Sequence, residues 1–158
     1  MLTMQKKSVK VGKLVDTEHV ETVIRNYKQE RWIHNSNRIG KEDSLSAWFS
    51  IAELEEFFNQ VKEHAGDGIR IHFGVYSSDY KENPLYAGRQ TLVLVGTKQK
   101  ETEKGPENKS IYINNEGKAS ILAYNFANLC PPICYNSKID REVGVTIVDK
   151  GNDGMIIA

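Results

Sequence analysis

The sequence predicts an α+β domain with a mixed, mostly antiparallel sheet and two main helices in the N-terminal half packed on one face. Three observations carry that expectation. A capped amphipathic pattern begins at Ser50, an alternating stretch runs from Ile69 to Val75, and every proline lies at position 84 or later, leaving an unbroken first half and a loop-punctuated second half. With 158 residues, 39% of them hydrophobic and 27% charged, the chain can bury a core and is too apolar to be disordered throughout, so a single domain over 1–158 is expected.

Residues 1–8 are expected to be disordered. Val20, Val23, Ile24 and Tyr27 then recur at helical spacing behind Asp16 or Thr17 as N-cap, which predicts a helix over 17–31. Ala47-Trp48-Phe49 reads either as a loop or as a short strand that, with the strand at 69, would complete a right-handed βαβ crossover. Ser50-Ile51-Ala52-Glu53 is a capping box, in which the two side chains satisfy orphan backbone N–H groups at a gain of about 1 kcal/mol. Phe49 and Leu54 have the spacing of a hydrophobic staple, and Ile51, Leu54, Phe58 and Val61 continue as the apolar stripe until Gly66-Asp67-Gly68 ends the helix.

Ile69, Ile71, Phe73 and Val75 alternate with Arg70, His72, Gly74 and Tyr76, which predicts a strand with one buried and one polar-aromatic face. The apolar side of that strand is expected to dock on the stripe of the helix that Ser50 begins. Residues 91–95 are apolar on both sides, as in a central strand, while residues 110–113 and 143–148 read as further strands. Residues 119–129 permit a helix by composition, but the alternation of Ile121, Ala123 and Asn125 with Leu122, Tyr124 and Phe126 favours a strand after the turn at 114–117. Residues 151–154 turn the chain into a last apolar stretch at 155–157. Exposed loops are expected at 77–90 and at 98–109, the second mobile, with its alternating charges fitting a solvated hairpin end better than a binding patch.

Lys plus Arg equals Asp plus Glu at 21 each, so no overall field draws the chain to nucleic acid or an anionic membrane. The sequence holds neither a run of 18 apolar residues nor a signal-peptide pattern, and two cysteines do not make a disulfide framework. A cytoplasmic location is therefore expected, with no nucleic-acid or membrane partner.

Two places hold candidate chemistry. Cys130-Pro131-Pro132-Ile133-Cys134 puts two prolines between two thiols, and three functional readings compete with that of a rigid structural turn. A disulfide would need the Cα atoms within about 7 Å, whereas a polyproline II path spreads the thiols unless Ile133 turns or a proline is cis. Two thiolates would make half a zinc site, with the rest from His34, His64, His72 or another chain. A redox or nucleophilic thiol lacks the familiar two-residue spacing. The second place is the polar face of the strand at 69, where Arg70, His72 and Tyr76, with Arg89 in the following loop, could converge on a small anionic ligand; the competing reading is the wet face of an antiparallel sheet. No phosphate loop, metalloprotease helix, nucleophile elbow or calcium loop is present, and no catalytic residue or cofactor is assigned.

Ala47-Trp48-Phe49-Ser50, the run from Gly66 through Asp67-Gly68-Ile69-Arg70-Ile71 to Tyr76, residues 91–97, and Cys130-Pro131-Pro132-Ile133-Cys134 together resemble a group of small bacterial proteins with a DGIRI strand and a CPPxC segment. The likeness runs from about residue 17 to residue 134 and implies no activity. In that pattern a histidine can follow the Asn before the cysteines, whereas Phe126 follows Asn125 here, which weakens the metal reading. The expected function is a noncatalytic binding or protein-interaction module, homodimeric through open sheet edges, and the alternative is a thiol- or metal-dependent protein built on Cys130 and Cys134.

Overall fold

Asp16 starts the first helix by accepting the His19 N–H at 2.8 Å on its carboxylate, and the helix runs well past residue 31. In the computed structural model, which describes residues 9–134 and the backbone of 149–150 and 156–157, α1 (Thr17–Tyr27) continues through a π-helical turn (Lys28–Trp32) into α2 (Ile33–Ile39). Gly40, at φ 73°, closes it in the left-handed region that glycine adopts without a Cβ clash. The wide turn accounts for the underestimated length. It moves Trp32 and Ser36 onto the buried side, off the 3.6-residue spacing that the apolar stripe had followed. The expectations for residues 1–8, the strand at 143–148 and the turn at 151–154 lie outside the described residues.

β1 (Ser46–Trp48) leads into α3 (Ile51–Glu63), where the capping box is present as expected: Ser50 N–H donates to Glu53 Oε2 at 2.8 Å and Glu53 N–H to Ser50 Oγ at 3.2 Å. Phe57 and Val61 are the fully buried residues of α3, Leu54 and Phe58 are half-buried, and Ile51 stands outside the stripe, 74% exposed. The helix closes as a Schellman motif, with Gly66 N–H donating to Val61 O at 2.8 Å and Ala65 N–H to Lys62 O at 2.9 Å. The left-handed position is occupied by Ala65, at φ 59°.

The main sheet has the order β2 (Gly68–Val75), β3 (Gln90–Thr102), β4 (Gly105–Ser110), with β7 (Ala123–Tyr124) also on β3. β5 (Tyr112–Asn115) and β6 (Lys118–Ile121) form a separate hairpin, and β8 (Asn128–Cys130) pairs with β1. β9 (Asp149–Lys150) pairs with β10 (Ile156–Ile157). All ladders among the described residues are antiparallel, so the βαβ crossover does not form: β1 is taken by β8, from the far end of the chain. Residues 119–129 hold the end of β6, β7 and the start of β8 with no helix, in line with their alternation.

Residues 98–109 are not a loop. They are most of a hairpin in which β3 and β4 pair from Thr97↔Ser110 to Thr102↔Gly105, setting Lys100 opposite Glu107. Backbone pairing requires no apolar face, so a wholly polar stretch can still be a strand pair. Residues 77–90 are only partly exposed, because the short 3-10 turn at Pro84–Tyr86 buries Tyr86, and Arg89 is buried behind it.

Two apolar clusters hold these elements. In the first, Phe57 and Val61 of α3 pack with Leu94, Ile111 and Leu122, flanked by Phe49, whose ring lies 5.6 Å from that of Tyr124. Gly96 sits where α3 closes on β3, since a Cβ there would lie 2.8 Å from Val61 Cγ2. The second gathers Tyr76, Tyr86, Ala127 and Leu129. Both helices lie over the same face of the sheet: α3 covers Leu94 and Gly96, while α1 lies beside Leu92 and Gln90, two residues along at each step of β3.

The apolar side of β2 is where expectation and structure part. Ile69 packs against the first cluster, but Ile71 is 55%, Phe73 81% and Val75 69% exposed. The cause is position within the sheet. α3 sits over β3, and β2 is the outer strand beyond it, so the helix that was to cover this row reaches only its first member.

Candidate functional site

The outer edge of β2 has no partner strand among the described residues. Hydrogen bonds on β3 fix the phase of its ladder. Tyr76 N–H donates to Arg89 O at 3.1 Å, whereas Gly96, opposite Ile69, spends its N–H on Leu122 O and its C=O on Ile111 N–H, both 2.9 Å and both away from β2. In an antiparallel pair, residues that exchange hydrogen bonds alternate with residues that do not. Gly68, Arg70, His72 and Gly74 therefore face β3 with their backbone groups, and the N–H and C=O of Ile69, Ile71, Phe73 and Val75 point outward. An exposed edge strand of this kind is ordinarily guarded by a lysine, a proline, a bulge or a covering segment. β2 contains no proline or lysine and pairs with β3 without a break. Its one arginine leans the other way, with Arg70 Nη2 donating to Asn108 O of β4 at 3.0 Å.

Beside this edge, Phe73 and Leu92 form one wall and Val23, Ile24 and Tyr27 the other wall of a cleft of about 250 Å³ between the sheet and α1. Tyr27 Oη donates to Gln90 Oε1 at 2.7 Å. Burial, and then the Asp43 carboxylate, push the Tyr27 phenol up to about 12, so it stays a neutral donor. Arg31, Asn35 and Val75 extend the lining on the solvent side. The lining mixes apolar side chains, among them Ile24, Leu45, Phe73 and Leu92, with the polar Tyr27, Ser44 and Gln90, which suits an apolar side chain of a polypeptide docked alongside.

Its walls are held in place by Asp43. Asp43 Oδ1 accepts the N–H groups of Gln90 at 2.7 Å and Ser44 at 2.8 Å, its backbone N–H donates to Ser36 Oγ at 2.9 Å, and its carbonyl accepts Trp32 Nε1 at 2.8 Å. Ser44 Oγ further donates to Gln90 O. Asp43 thus joins the first helix, which its backbone groups hold at Trp32 and Ser36, to the first residue of β3, which its buried carboxylate holds, and Gln90 and Ser44 themselves line the cleft.

The residues proposed for an anionic ligand do not form one site. Arg70 and His72 are exposed neighbours on one face of β2. Tyr76 is buried, its ring 4.7 Å from Tyr80, 5.6 Å from Tyr86 and 6.3 Å from Phe126, and its hydroxyl donates to Asn125 Oδ1 at 2.9 Å. Arg89 is a structural cation: Nε donates to Glu42 O at 2.8 Å and Nη1 to Leu85 O. Burial lowers its pKa, opposed by Asp43 and Glu42. Two of the four residues thus remain open to solvent, and the other two serve as core hydrogen-bonding groups.

Cys130 and Cys134 are joined in a disulfide with Cα atoms 4.9 Å apart. Both proline peptide bonds, Cys130–Pro131 and Pro131–Pro132, are cis, so the chain does not take the extended path assumed for it, and Ile133 N–H donates back to Leu129 O at 2.8 Å. Neither sulfur is available as a thiolate in this state, and among the described residues no three His, Cys, Asp or Glu side chains cluster as metal ligands. Cys130 is buried, and its strand β8 anchors β1.

The reading by sequence missed the exposed row of β2 and the Asp43 tie. A signal for the first was present, since residues 91–95 read as central and the neighbouring strand at 69 was therefore free to be an edge. None marked the second, because its partners lie up to 47 positions apart. Comparison with known proteins finds no family model, curated protein or solved structure that matches the chain.

Proposed function

We propose that the chain is a noncatalytic interaction module that takes up an extended polypeptide segment along the open edge of β2, with a side chain of the partner entering the cleft beside α1. The observation that carries this reading is the exposure of Ile71, Phe73 and Val75 next to outward N–H and C=O groups on a strand edge that no other strand pairs among the described residues. Strand addition draws affinity from such a backbone row and specificity from the alternate side chains. A contiguous apolar surface of this kind marks binding sites more often than chance solvent exposure. A soluble Thr/Val-alternating peptide with terminal lysines tests it in an NMR titration. Shifts confined to the amides of residues 69–75 and to the cleft are expected, and shifts confined to the Cys130–Cys134 loop, or none at all, refute it.

The second reading is thiol–disulfide chemistry at Cys130 and Cys134, favoured by closure of the pair across a four-residue separation with Cys134 only half-buried. Incubation with reduced glutathione and a disulfide-bonded peptide checks it, since exchange no faster than with a free cysteine peptide removes the reading. A small anion over Arg70 and His72 remains a lesser proposal, tested by phosphate titration of the His72 ring resonances. We place the protein in the bacterial cytoplasm. The disulfide counts against that placement, because structural bridges persist chiefly in oxidising compartments. Alkylation of thiols in freshly lysed cells decides it: a fully bridged pair in vivo would argue for another compartment.

A further inference from the structure

We infer that the segment taken up by β2 is β2 of a second copy of this chain, paired antiparallel about a two-fold axis that passes through His72. The inference rests on the proposed role of this edge and adds the partner and the register. Two copies of one strand related by a two-fold axis pair with a constant residue sum, and only a few sums bring outward-facing groups opposite one another. With the axis at Ile71, Val75 would face Asp67, and with the axis at Phe73, Ile69 would face Ser77. With the axis at His72, Ile69 meets Val75 and Ile71 meets Phe73, so every outward N–H and C=O of the four apolar residues finds a partner.

The same register is favourable for the side chains. On one face Ile69, Ile71, Phe73 and Val75 of both copies form a continuous apolar surface that neither copy covers alone. On the other face Arg70 lies opposite Gly74 of the partner copy, and His72 lies opposite its symmetry mate. No arginine is set against an arginine, and Arg70 is already turned back toward Asn108, away from the axis. Two copies also carry no net charge to repel each other, with 21 basic and 21 acidic residues in each. Val9 and Val11 line a pocket with Asp67–Ile71, and among the described residues they form no ladder with β2.

Cross-linking reads the register. His72 would form a non-hydrogen-bonded pair with its mate, a position at which Cα atoms lie about 4.5 Å apart, within disulfide range. The variant His72→Cys should give a covalent dimer under oxidised glutathione, with the unmodified chain as control for its own Cys130–Cys134 bridge. Arg70→Cys and Gly74→Cys should each fail to cross-link alone and should cross-link when the two are mixed. A Cβ at Gly74 lies 3.5 Å from Thr91 Cγ2, an ordinary contact, so that variant is expected to fold. Sedimentation over a wide concentration range should show a monomer–dimer equilibrium that Phe73→Glu, at an exposed position, weakens by a factor of about 30 or more. Circular dichroism melts verify that each variant is folded.

A chain that stays monomeric at high concentration overturns the inference, as does a dimer that Phe73→Glu leaves intact or that cross-links through other positions. A monomer whose β2 amides still respond to the Thr/Val peptide removes the second copy as partner and leaves the edge as a binding surface. A monomer whose β2 amides respond to nothing and are protected from exchange means that the chain covers its own edge, and both proposals fail.

Discussion

Replacing Gly96 by Ala tests how closely α3 is seated on β3. An added Cβ would lie 2.8 Å from Val61 Cγ2 and 3.3 Å from Cγ1, against an ordinary carbon contact near 3.5 to 4.0 Å. Leu122 Cδ2 stands at 3.5 Å as a third neighbour, so the added carbon enters an occupied part of the first cluster. Overpacking on this scale costs about 1–3 kcal/mol, and the reduced backbone entropy of alanine in a strand returns about 0.5–1, leaving a net loss of about 0.5–2 kcal/mol. Val61→Ala removes two buried methyl groups and should cost about 2–3 kcal/mol. Since those methyl groups are the ones obstructing the new Cβ, the double variant should lose little more than Val61→Ala alone, a coupling of about 1–2 kcal/mol. Urea denaturation of the four proteins measures the cycle. Additivity within about 0.5 kcal/mol would mean that helix and strand do not meet at Gly96, and the first cluster would need to be redrawn.

Ala65→Gly should stabilise the chain by about 1 kcal/mol, because Ala65 holds a left-handed conformation that costs an L-residue about that much; a thermal melt shifted up by a few degrees is the expected reading. The Tyr27 phenol ionises at an ordinary value of 10.0 in the unfolded chain and about 12 in the fold, so above pH 10 the unfolded state loses its proton first and stability falls, levelling off above about 12. Tyr27→Phe should reduce that alkaline slope in pH-dependent urea melts. Glu53 is held below the usual carboxylate range by the Ser50 backbone N–H, the Ser50 hydroxyl and the Tyr124 hydroxyl, so its contribution is present above the unfolded value and lost as pH falls through the folded one. Glu53→Gln should weaken the acid dependence of stability, and an unchanged acid limb would sink that assignment. Reduction of the Cys130–Cys134 bridge should lower stability by about 2 kcal/mol on the chain-entropy account, read as a shift of the urea midpoint with and without reductant.

The parts of the fold legible from sequence were those set by neighbours along the chain. Ser50 and Glu53 are three residues apart, so the capping box and the helix it opens could be read from a short window. The alternation from Ile69 to Val75 likewise identified a strand, but which side of it is covered depends on where α3 lands, and that is decided by Leu94, Ile111 and Leu122 much further along the chain. β1 was open to a parallel pairing because nothing near Ala47 indicates that residues 128–130 will take it. Tyr76 and Arg89 have the chemistry of ligand-binding groups, and only their distant partners, Asn125 and the carbonyl of Glu42, reveal that this chemistry is spent inside the fold. The cysteine segment depended on two peptide-bond geometries that the residues themselves leave undecided.

The wide turn at Lys28–Trp32 gives the first helix one residue more than its length requires. Lys28, Trp32 and Ser36 consequently face inward at every fourth position, and the later part of the helix is rotated relative to the earlier by the angle of one residue, about 100°. Removing a single residue here would leave a regular, intact helix yet turn Trp32 and Ser36 away from Asp43. Such a deletion would be felt at the start of β3 and in the cleft beside it, so the surplus residue acts as an alignment key between the helix and the strand it fastens.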